Sequence, residues 1–101
     1  MTALSRVTDI GEGDCPDHGK YHTKYITGAK SVFTNNLIQT IVTTVGEQDN
    51  CDKAHSKATT GSATVFAENQ PVHRIDDTGK GHAGDTYKSI TGSPNVFNNG
   101  K

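Results

Sequence analysis

The sequence predicts an all-β domain with little helix, built from three hairpin repeats around a pseudo-threefold axis. Three observations carry this. A T-G-x-x-x-V-F block occurs at Thr27–Phe33, Thr60–Phe66 and Thr91–Phe97, with its glycines 33 and 31 residues apart. An internal repeat of this kind sets architecture before any single motif does. The 101 residues include eleven glycines with abundant Thr and Asn, a composition that favours turns and strands. No segment sustains a helical period of apolar residues, although a short helix inside a loop is compatible with the pattern.

The repeat extends beyond the block. Residues 3–11, 38–46 and 71–79 align as nine-residue strand-like stretches, each ending in a glycine: Gly11, Gly46 and Gly79. A polar loop follows each, and then the T-G-x-x-x-V-F block. Alternation and β-branching around Val32-Phe33, Ile38 to Val42 and Val65-Phe66 read as strands. The short polar joins at 34–36 and 67–70 read as hairpin turns. One domain over 1–101 is expected, with units of roughly 3–36, 38–70 and 71–101. The last V-F strand runs out at Asn98-Asn99-Gly100, while a matching strand, Ala3 to Val7, stands unclaimed at the other end. The N-terminal strand is therefore expected to close the last hairpin, which removes two sheet edges.

The core is expected to be thin. Hydrophobic residues make up 31%, there is no tryptophan, and the only phenylalanines are Phe33, Phe66 and Phe97. Their shared register suggests that they meet on the axis. A chain of this size often needs a staple. The formal charge of −1 gives no reason to expect nucleic acid. No run approaches the ~20 apolar residues of a membrane span, and the N-terminus does not read as a secretory leader, so stable membrane insertion is not expected. Synthesis in the cytoplasm follows, where two cysteines suggest metal ligation or free thiols before a Cys15–Cys51 bridge.

The loops carry the chemistry. Gly11–Gly28, Gly46–Gly61 and Gly79–Gly92 hold both cysteines and four of the five histidines. His18, Cys51 and His82 each lie ten residues before a repeat glycine, so a threefold axis would bring them together from three loops. His22 and His55 share a second register, six before their glycines, where the third copy has Thr86. A tetrahedral site needs four convergent donors. His55, four residues after Cys51, is one candidate fourth ligand and His22 the other; Cys15, in Cys15-x-x-His18, also reads as a small buried hydrophobe or a thiol. Three imidazoles and a thiolate suit Zn²⁺ first and Fe²⁺ second. With no position left for water, the site reads as structural. His73 lies in a strand block and reads as a packing or surface residue. Arg6 with Asp9 and Arg74 with Asp77 recur at matched positions; they read as local ion pairs orienting the strand exit, with a bound anion as the alternative.

At these residues the chain resembles the PAAR-repeat family of spike-tip proteins, whose signature is G-S-x-x-V, a hairpin turn and then P-A-A-R-x-x-D. The second unit reads Gly61-Ser62-Ala63-Thr64-Val65-Phe66, then Pro71-Val72-His73-Arg74-Ile75-Asp76-Asp77. Gly92-Ser93-Pro94-Asn95-Val96 matches the first half again. The namesake motif departs from the pattern as Ala3-Leu4-Ser5-Arg6 in one copy and loses its arginine in the middle one. The resemblance covers nearly the whole chain and implies no attached effector domain. It implies a small cone of β-hairpins with a metal near the apex, held by three histidines and a cysteine. Carried onto this chain, the ligands are His18, Cys51, His55 and His82. It implies a non-enzymatic cap, monomeric by itself, one per trimeric β-helical spike. That spike belongs to a contractile injection machine, a phage tail or a type VI secretion system, delivered into or across the target envelope. The cap would sharpen the spike and aid membrane piercing.

Two other classes compete. A small zinc hydrolase would use His18, His22, Cys51 and Glu12 or Asp14 around an exchangeable metal. A free metal-binding protein would take up metal weakly and reversibly. No nucleophile–base pair or paired carboxylate repeats with the symmetry, so catalysis is not indicated.

Overall fold

A computed structural model describes residues 2–16, 19–49, 54–81 and 84–98. These residues form strands and turns, with no helix among them, and hence none long and apolar enough to cross a membrane. In chain order the strands are β1 (Thr2–Ala3), β2 (Ile10–Cys15), β3 (Gly19–Tyr25), β4 (Ala29–Thr34), β5 (Leu37–Gln39) and β6 (Val45–Gln48). They continue as β7 (His55–Ala58), β8 (Phe66–Ala67), β9 (Gln70–Pro71), β10 (Thr78–Lys80), β11 (Thr86–Ser89) and β12 (Phe97–Asn98). The chain is all-β. Its extents are 36 × 24 × 23 Å, and the two short ones are nearly equal, as a threefold body requires.

Six strands close an antiparallel barrel in the order β10-β11-β2-β3-β6-β7. The barrel consists of the hairpins β2–β3, β6–β7 and β10–β11 paired side by side. The seams between them repeat one register: Tyr25 opposes Gly46, Ala58 opposes Gly79, and Ser89 opposes Gly11. The stretches between repeat glycines, expected as polar loops, are thus mostly barrel wall. Their polarity has a simple cause. Alternate residues face water, including Glu12, Lys24, Glu47, Lys57 and Lys80, while the residues between them are buried.

The interior of so narrow a barrel is filled by three tyrosines and cleared by glycines. Tyr21, Tyr25 and Tyr87 are essentially inaccessible. A Cβ on Gly79 would lie 2.3 Å from the Tyr87 ring, and one on Gly11 2.5 Å from it. Only glycine on the two neighbouring strands, β10 and β2, leaves room for the Tyr87 ring. Burying each tyrosine contributes on the order of 2 kcal/mol.

Three two-stranded hairpins continue from the barrel. Two are β4–β5 and β8–β9; the third is β12–β1, in which Thr2 pairs with Asn98 and Ala3 with Phe97. The two ends of the chain therefore complete the third repeat, as expected. The turns after β4 and β8 place Asn35, Asn36, Glu68 and Asn69 at positive φ, the requirement of tight hairpin turns matching strand twist.

Each letter of the repeated block has a physical task. The hydroxyls of Thr27, Thr60 and Thr91 accept the N–H of Val45, Thr78 and Ile10 at 2.8, 2.8 and 2.9 Å, tying each block to the start of a barrel strand. Gly28, Gly61 and Gly92 pass so close to the carbonyl oxygens of Gln39, Val72 and Leu4 that a Cβ would sit 2.4, 2.5 and 2.8 Å away. In the second and third copies, Ser62 and Ser93 accept backbone N–H groups of residues two and three ahead. Ala29 has no such hydroxyl, and there the strand runs on through a register shift.

Val32, Val65 and Val96 pack onto a small core of Leu4, Ala29, Ile41, Ala67 and Val72. The phenylalanines do not meet on the axis, contrary to the expectation. Phe33, Phe66 and Phe97 point outwards, exposed at 59%, 56% and 41%. Adjacent residues in a strand face opposite sides, so one of each Val-Phe pair must face out, and the narrow interior takes the smaller valine.

The nine-residue blocks are also not continuous strands. Each is broken by a turn with one residue in the left-handed region: Thr8 (φ 86°), Thr43 (φ 91°) and Asp76 (φ 76°). Before that turn, Ser5, Thr40 and His73 form a ring on the axis, all three fully buried. The N–H of Ser5 donates to the His73 carbonyl at 3.0 Å, that of His73 to Thr40 at 3.1 Å, and that of Thr40 to Ser5 at 3.3 Å. This closed circuit, flanked by the bridges Leu4–Arg74, Arg6–Gln39 and Ile41–Val72, satisfies three buried donors at the centre.

The Arg6–Asp9 and Arg74–Asp77 pairs brace the turns. Each guanidinium meets its carboxylate through Nε at 2.8 Å, and each carboxylate also accepts the backbone N–H of its own arginine at 2.8 Å. Hydrogen bonding to Asp9 and Asp77 holds both guanidinium pKa values above their ordinary level. In the middle copy the Thr44 hydroxyl accepts the Ile41 N–H at 2.9 Å and does the same job without charge. The local ion-pair reading therefore describes the geometry.

Candidate metal centre

The candidate ligands fall into two groups. His18, Cys51 and His82 lie outside the described residues. Each falls in a connection of a barrel hairpin: β2 to β3, β6 to β7, and β10 to β11 respectively. All three connections join the strand ends opposite to those that continue into β4, β8 and β12.

His22 and His55 are on strands, in the outward-facing register. His22 opposes Glu12 across β2–β3, and His55 opposes Glu47 across β6–β7. The third copy carries Lys80 opposite Thr86, with the ammonium 3.1 Å from the hydroxyl. The shared second register found in the sequence is thus a shared position on the outer wall. His22 is engaged there: Nε2 is 3.0 Å from a Glu12 carboxylate oxygen and Nδ1 3.7 Å from one of Asp49. Its backbone N–H also donates to the Asp49 carboxylate at 2.9 Å. His55 is the first residue of β7, directly at the end of the connection that holds Cys51, and is exposed. Among the described residues no three His, Cys, Asp or Glu side chains converge as a metal site.

Cys15 closes β2 and is buried among Tyr21, Tyr25 and Tyr87, where it packs as a small apolar residue. Glu12, a candidate base in the hydrolase reading, lies on the outer wall beside His22. Asp14, the alternative base, is exposed on the same strand.

Two polar features of the interior go beyond the sequence reading, which offered His73 only as a packing or surface residue and did not single out the second. One is His73. Its Nδ1 lies 2.8 Å from the Thr60 carbonyl, so that nitrogen carries the proton and donates. Its Nε2 faces the hydroxyls of Tyr25 and Tyr87, both at 3.4 Å, with the rings edge-on. Burial pushes its pKa below the ordinary histidine value, the Arg74 charge adds to this, and the Thr60 hydrogen bond and Asp77 oppose it. Burial likewise raises both tyrosine pKa values far out of the accessible range. A signal existed: His73 aligns with Ser5 and Thr40, two small polar residues, in the repeat.

The other feature is a carboxylate inside the barrel mouth. Asp85 directly precedes β11, and the Tyr21 hydroxyl donates to its Oδ2 at 2.5 Å. Its Oδ1 is buried and has no hydrogen-bond partner among the described residues. Gly81 leaves room for it, since a Cβ there would sit 2.5 Å from Oδ2 and 2.7 Å from Oδ1. Gly13 and Gly81 both leave room for the Tyr21 hydroxyl, which lies 2.7 Å from where either Cβ would be. A buried carboxylate oxygen without a partner costs about 1–3 kcal/mol. The carboxylate sits against Gly81, beside the β10–β11 connection. That fits a cation or an N–H donor there.

Compared with protein-family models, curated proteins and solved structures, the chain matches none, so its functional reading rests on its own residues and their geometry.

Proposed function

We propose that this chain is a structural cap that seats on a trimeric β-helical spike, one chain per trimer, and presents a metal-tied point. The observation that carries it is the ring of Phe33, Phe66 and Phe97. Three large apolar side chains, exposed at quasi-equivalent positions on three hairpins, match a threefold partner and repeat each contact three times. Side-chain contacts between neighbouring hairpins hold the ring in shape. The Asn35 amide donates to the Asn95 side chain at 2.8 Å. The equivalent junction has the Ser31 N–H donating to Glu68 at 2.9 Å.

At the other end, His18, Cys51, His82 and His55 would hold Zn²⁺, with Fe²⁺ second by donor chemistry. His55 is preferred to His22 because His22 already engages two carboxylates on the wall, while His55 adjoins the connection carrying Cys51. The metal would supply a crosslink between three hairpins, contributing on the order of 10 kcal/mol of apparent folding free energy. The role is mechanical rather than catalytic: a stiff tip that helps a spike of a phage tail or secretion machine breach an envelope.

The test is reconstitution. Full chain mixed with the trimeric β-helix of its spike should form a complex of one chain per trimer by light scattering. Elemental analysis should find one zinc per chain, and a chelator should lower the melting temperature sharply. Three chains per trimer, or no complex, would overturn the cap reading. A metal-free protein as stable as the purified one would overturn the site.

A further inference from the structure

We propose that the outer wall of β7, β10 and β11 is a peripheral contact face for an anionic lipid bilayer, its lysines meeting headgroup phosphates. The observation behind it is a break in the threefold pattern on the outside of the barrel. Three seams join the hairpins, and each sets outward-facing residues opposite one another. Lys24 opposes Glu47 and Lys88 opposes Glu12, but Lys57 opposes Lys80. Further along each seam, the N–H of Ile26 donates to Val45 and that of Ile90 to Ile10, whereas that of Thr59 donates to Thr78. The β7–β10 seam has thus exchanged an acid for a base and an apolar pair for two hydroxyls. Like charges directly opposite in a sheet destabilise it. Proteins break such local rules chiefly at functional sites.

The charge on this wall is uncompensated. β7, β10 and β11 contain Lys57, Lys80 and Lys88, with His55, and no aspartate or glutamate. All three lysines are exposed, and none forms an ion pair among the described residues. The neighbouring carboxylates are engaged elsewhere. Glu12 meets His22 at 3.0 Å and Lys20 at 3.9 Å, Asp77 is held by Arg74, and Asp85 turns to Tyr21. Glu47 opposes Lys24 and His55. Asp76 precedes β10, at the end away from Lys80. The Lys80 ammonium lies 3.1 Å from the Thr86 hydroxyl, which keeps it over the wall. Adjacent strands are about 4.8 Å apart, so Lys57 and Lys88 stand on strands roughly 10 Å apart. That is within the Debye length of about 10 Å at 0.1 M salt, so the lysines act together on an anionic surface. The surroundings choose the partner. No pocket opens among the described residues, so nothing there encloses a small anion. The strands expose lysine, threonine and histidine, without the aromatic and aliphatic anchors that hold a protein partner. An open, polar, cationic face suits a layer of phosphates. It is separate from the phenylalanine ring, which sits on β4, β8 and β12.

The experiment sediments the full-length chain with vesicles of phosphatidylcholine, with and without about one third phosphatidylglycerol. Binding is expected to the anionic vesicles alone, falling about tenfold or more as salt rises from roughly 0.05 to 0.5 M. A lysine near such a surface contributes about fivefold. Lys80→Glu removes one attraction and adds one repulsion, so it should weaken binding about 25-fold. It also gives this seam the charge pairing of the other two, so its melting temperature should stay level or rise. Lys24→Glu makes the same change of charge on the far wall, on β3, and should weaken binding less than about threefold. Wild type binding neither vesicle, or both equally, overturns the proposal. So does an equal loss in the two variants, because net charge rather than this wall would then be acting. Binding to poly-glutamate but not to vesicles would assign the face to an acidic protein and overturn the lipid partner. Should Lys80→Glu not fold, the double variant Lys57→Gln with Lys88→Gln decides: unchanged vesicle binding refutes the face. None of these outcomes involves the spike or zinc, so failure here leaves the cap reading standing, and the reverse holds.

Discussion

Replacing the exposed phenylalanines separates docking from folding. A phenylalanine side chain offers ~200 Å². At exposures of 59%, 56% and 41%, Phe33, Phe66 and Phe97 leave about 120, 110 and 80 Å² to be covered. At ~25 cal/mol per Å² this is at most about 3, 3 and 2 kcal/mol. Ordering and desolvation at an interface consume part of it. Each Phe→Ala change should therefore weaken binding to the trimeric spike by about 1–2 kcal/mol, or roughly tenfold. The triple variant should lose at least about a hundredfold. The same variants should lose less than about 1 kcal/mol of fold stability each, since the rings are already half in water. The assay is interferometry on immobilised spike trimer, with urea unfolding of the free chain alongside. A triple variant that binds like wild type would refute the docking face. Variants that unfold by several kcal/mol would show that the rings serve the core, as their register first suggested.

Four further outcomes are expected. Gly79→Ala puts a methyl 2.3 Å from the Tyr87 ring and 2.5 Å from the Lys57 carbonyl, so it should cost about 3 kcal/mol or more by urea midpoint. Gly84, with open space and φ +81°, should lose only about 1 kcal/mol to alanine through backbone strain. His73 is held neutral in the fold, with its pKa below the unfolded value near 6.5. The unfolded chain then binds more protons between those two pKa values. This contribution is complete above about pH 6.5 and is lost as pH falls through the folded pKa, at up to about 1.4 kcal/mol per pH unit. His73→Gln should remove that slope from urea midpoints measured between pH 8 and 5; equal slopes would show that His73 does not titrate with unfolding. Thr43→Gly relieves a β-branched residue at φ 91° and should raise stability by about 0.5–1 kcal/mol net of chain entropy, or a few degrees in melting temperature.

The candidate site was legible only as far as symmetry reaches. Ten residues back from each glycine marks His18, Cys51 and His82, which the repeat assigns to the three connections of the barrel hairpins, outside the described residues. The same ruler aligns His22 with His55 but cannot say which way a strand faces. Strand direction depends on parity, and parity is set by what the barrel interior can hold. Tyr21-x-Thr23-x-Tyr25 beside Gly11-x-Gly13 carried the clue, an alternation of large and absent side chains that marks an inward face. Asp85 broke no visible rule in the sequence; only its neighbours in the barrel mouth make it unusual.

By itself the sequence determined the repeat and the all-β class. It also determined the hairpin turns and the pairing of the first strand with the last. All of these follow from local backbone preferences and from counting copies. Tertiary structure alone decided that the loops are barrel walls and that valine, not phenylalanine, faces in. It also decided that Ser5, Thr40 and His73 close a ring on the axis. These are questions of volume and of paired hydrogen-bonding groups. A narrow threefold interior admits one small residue per copy and leaves its large partner to solvent or to another threefold surface.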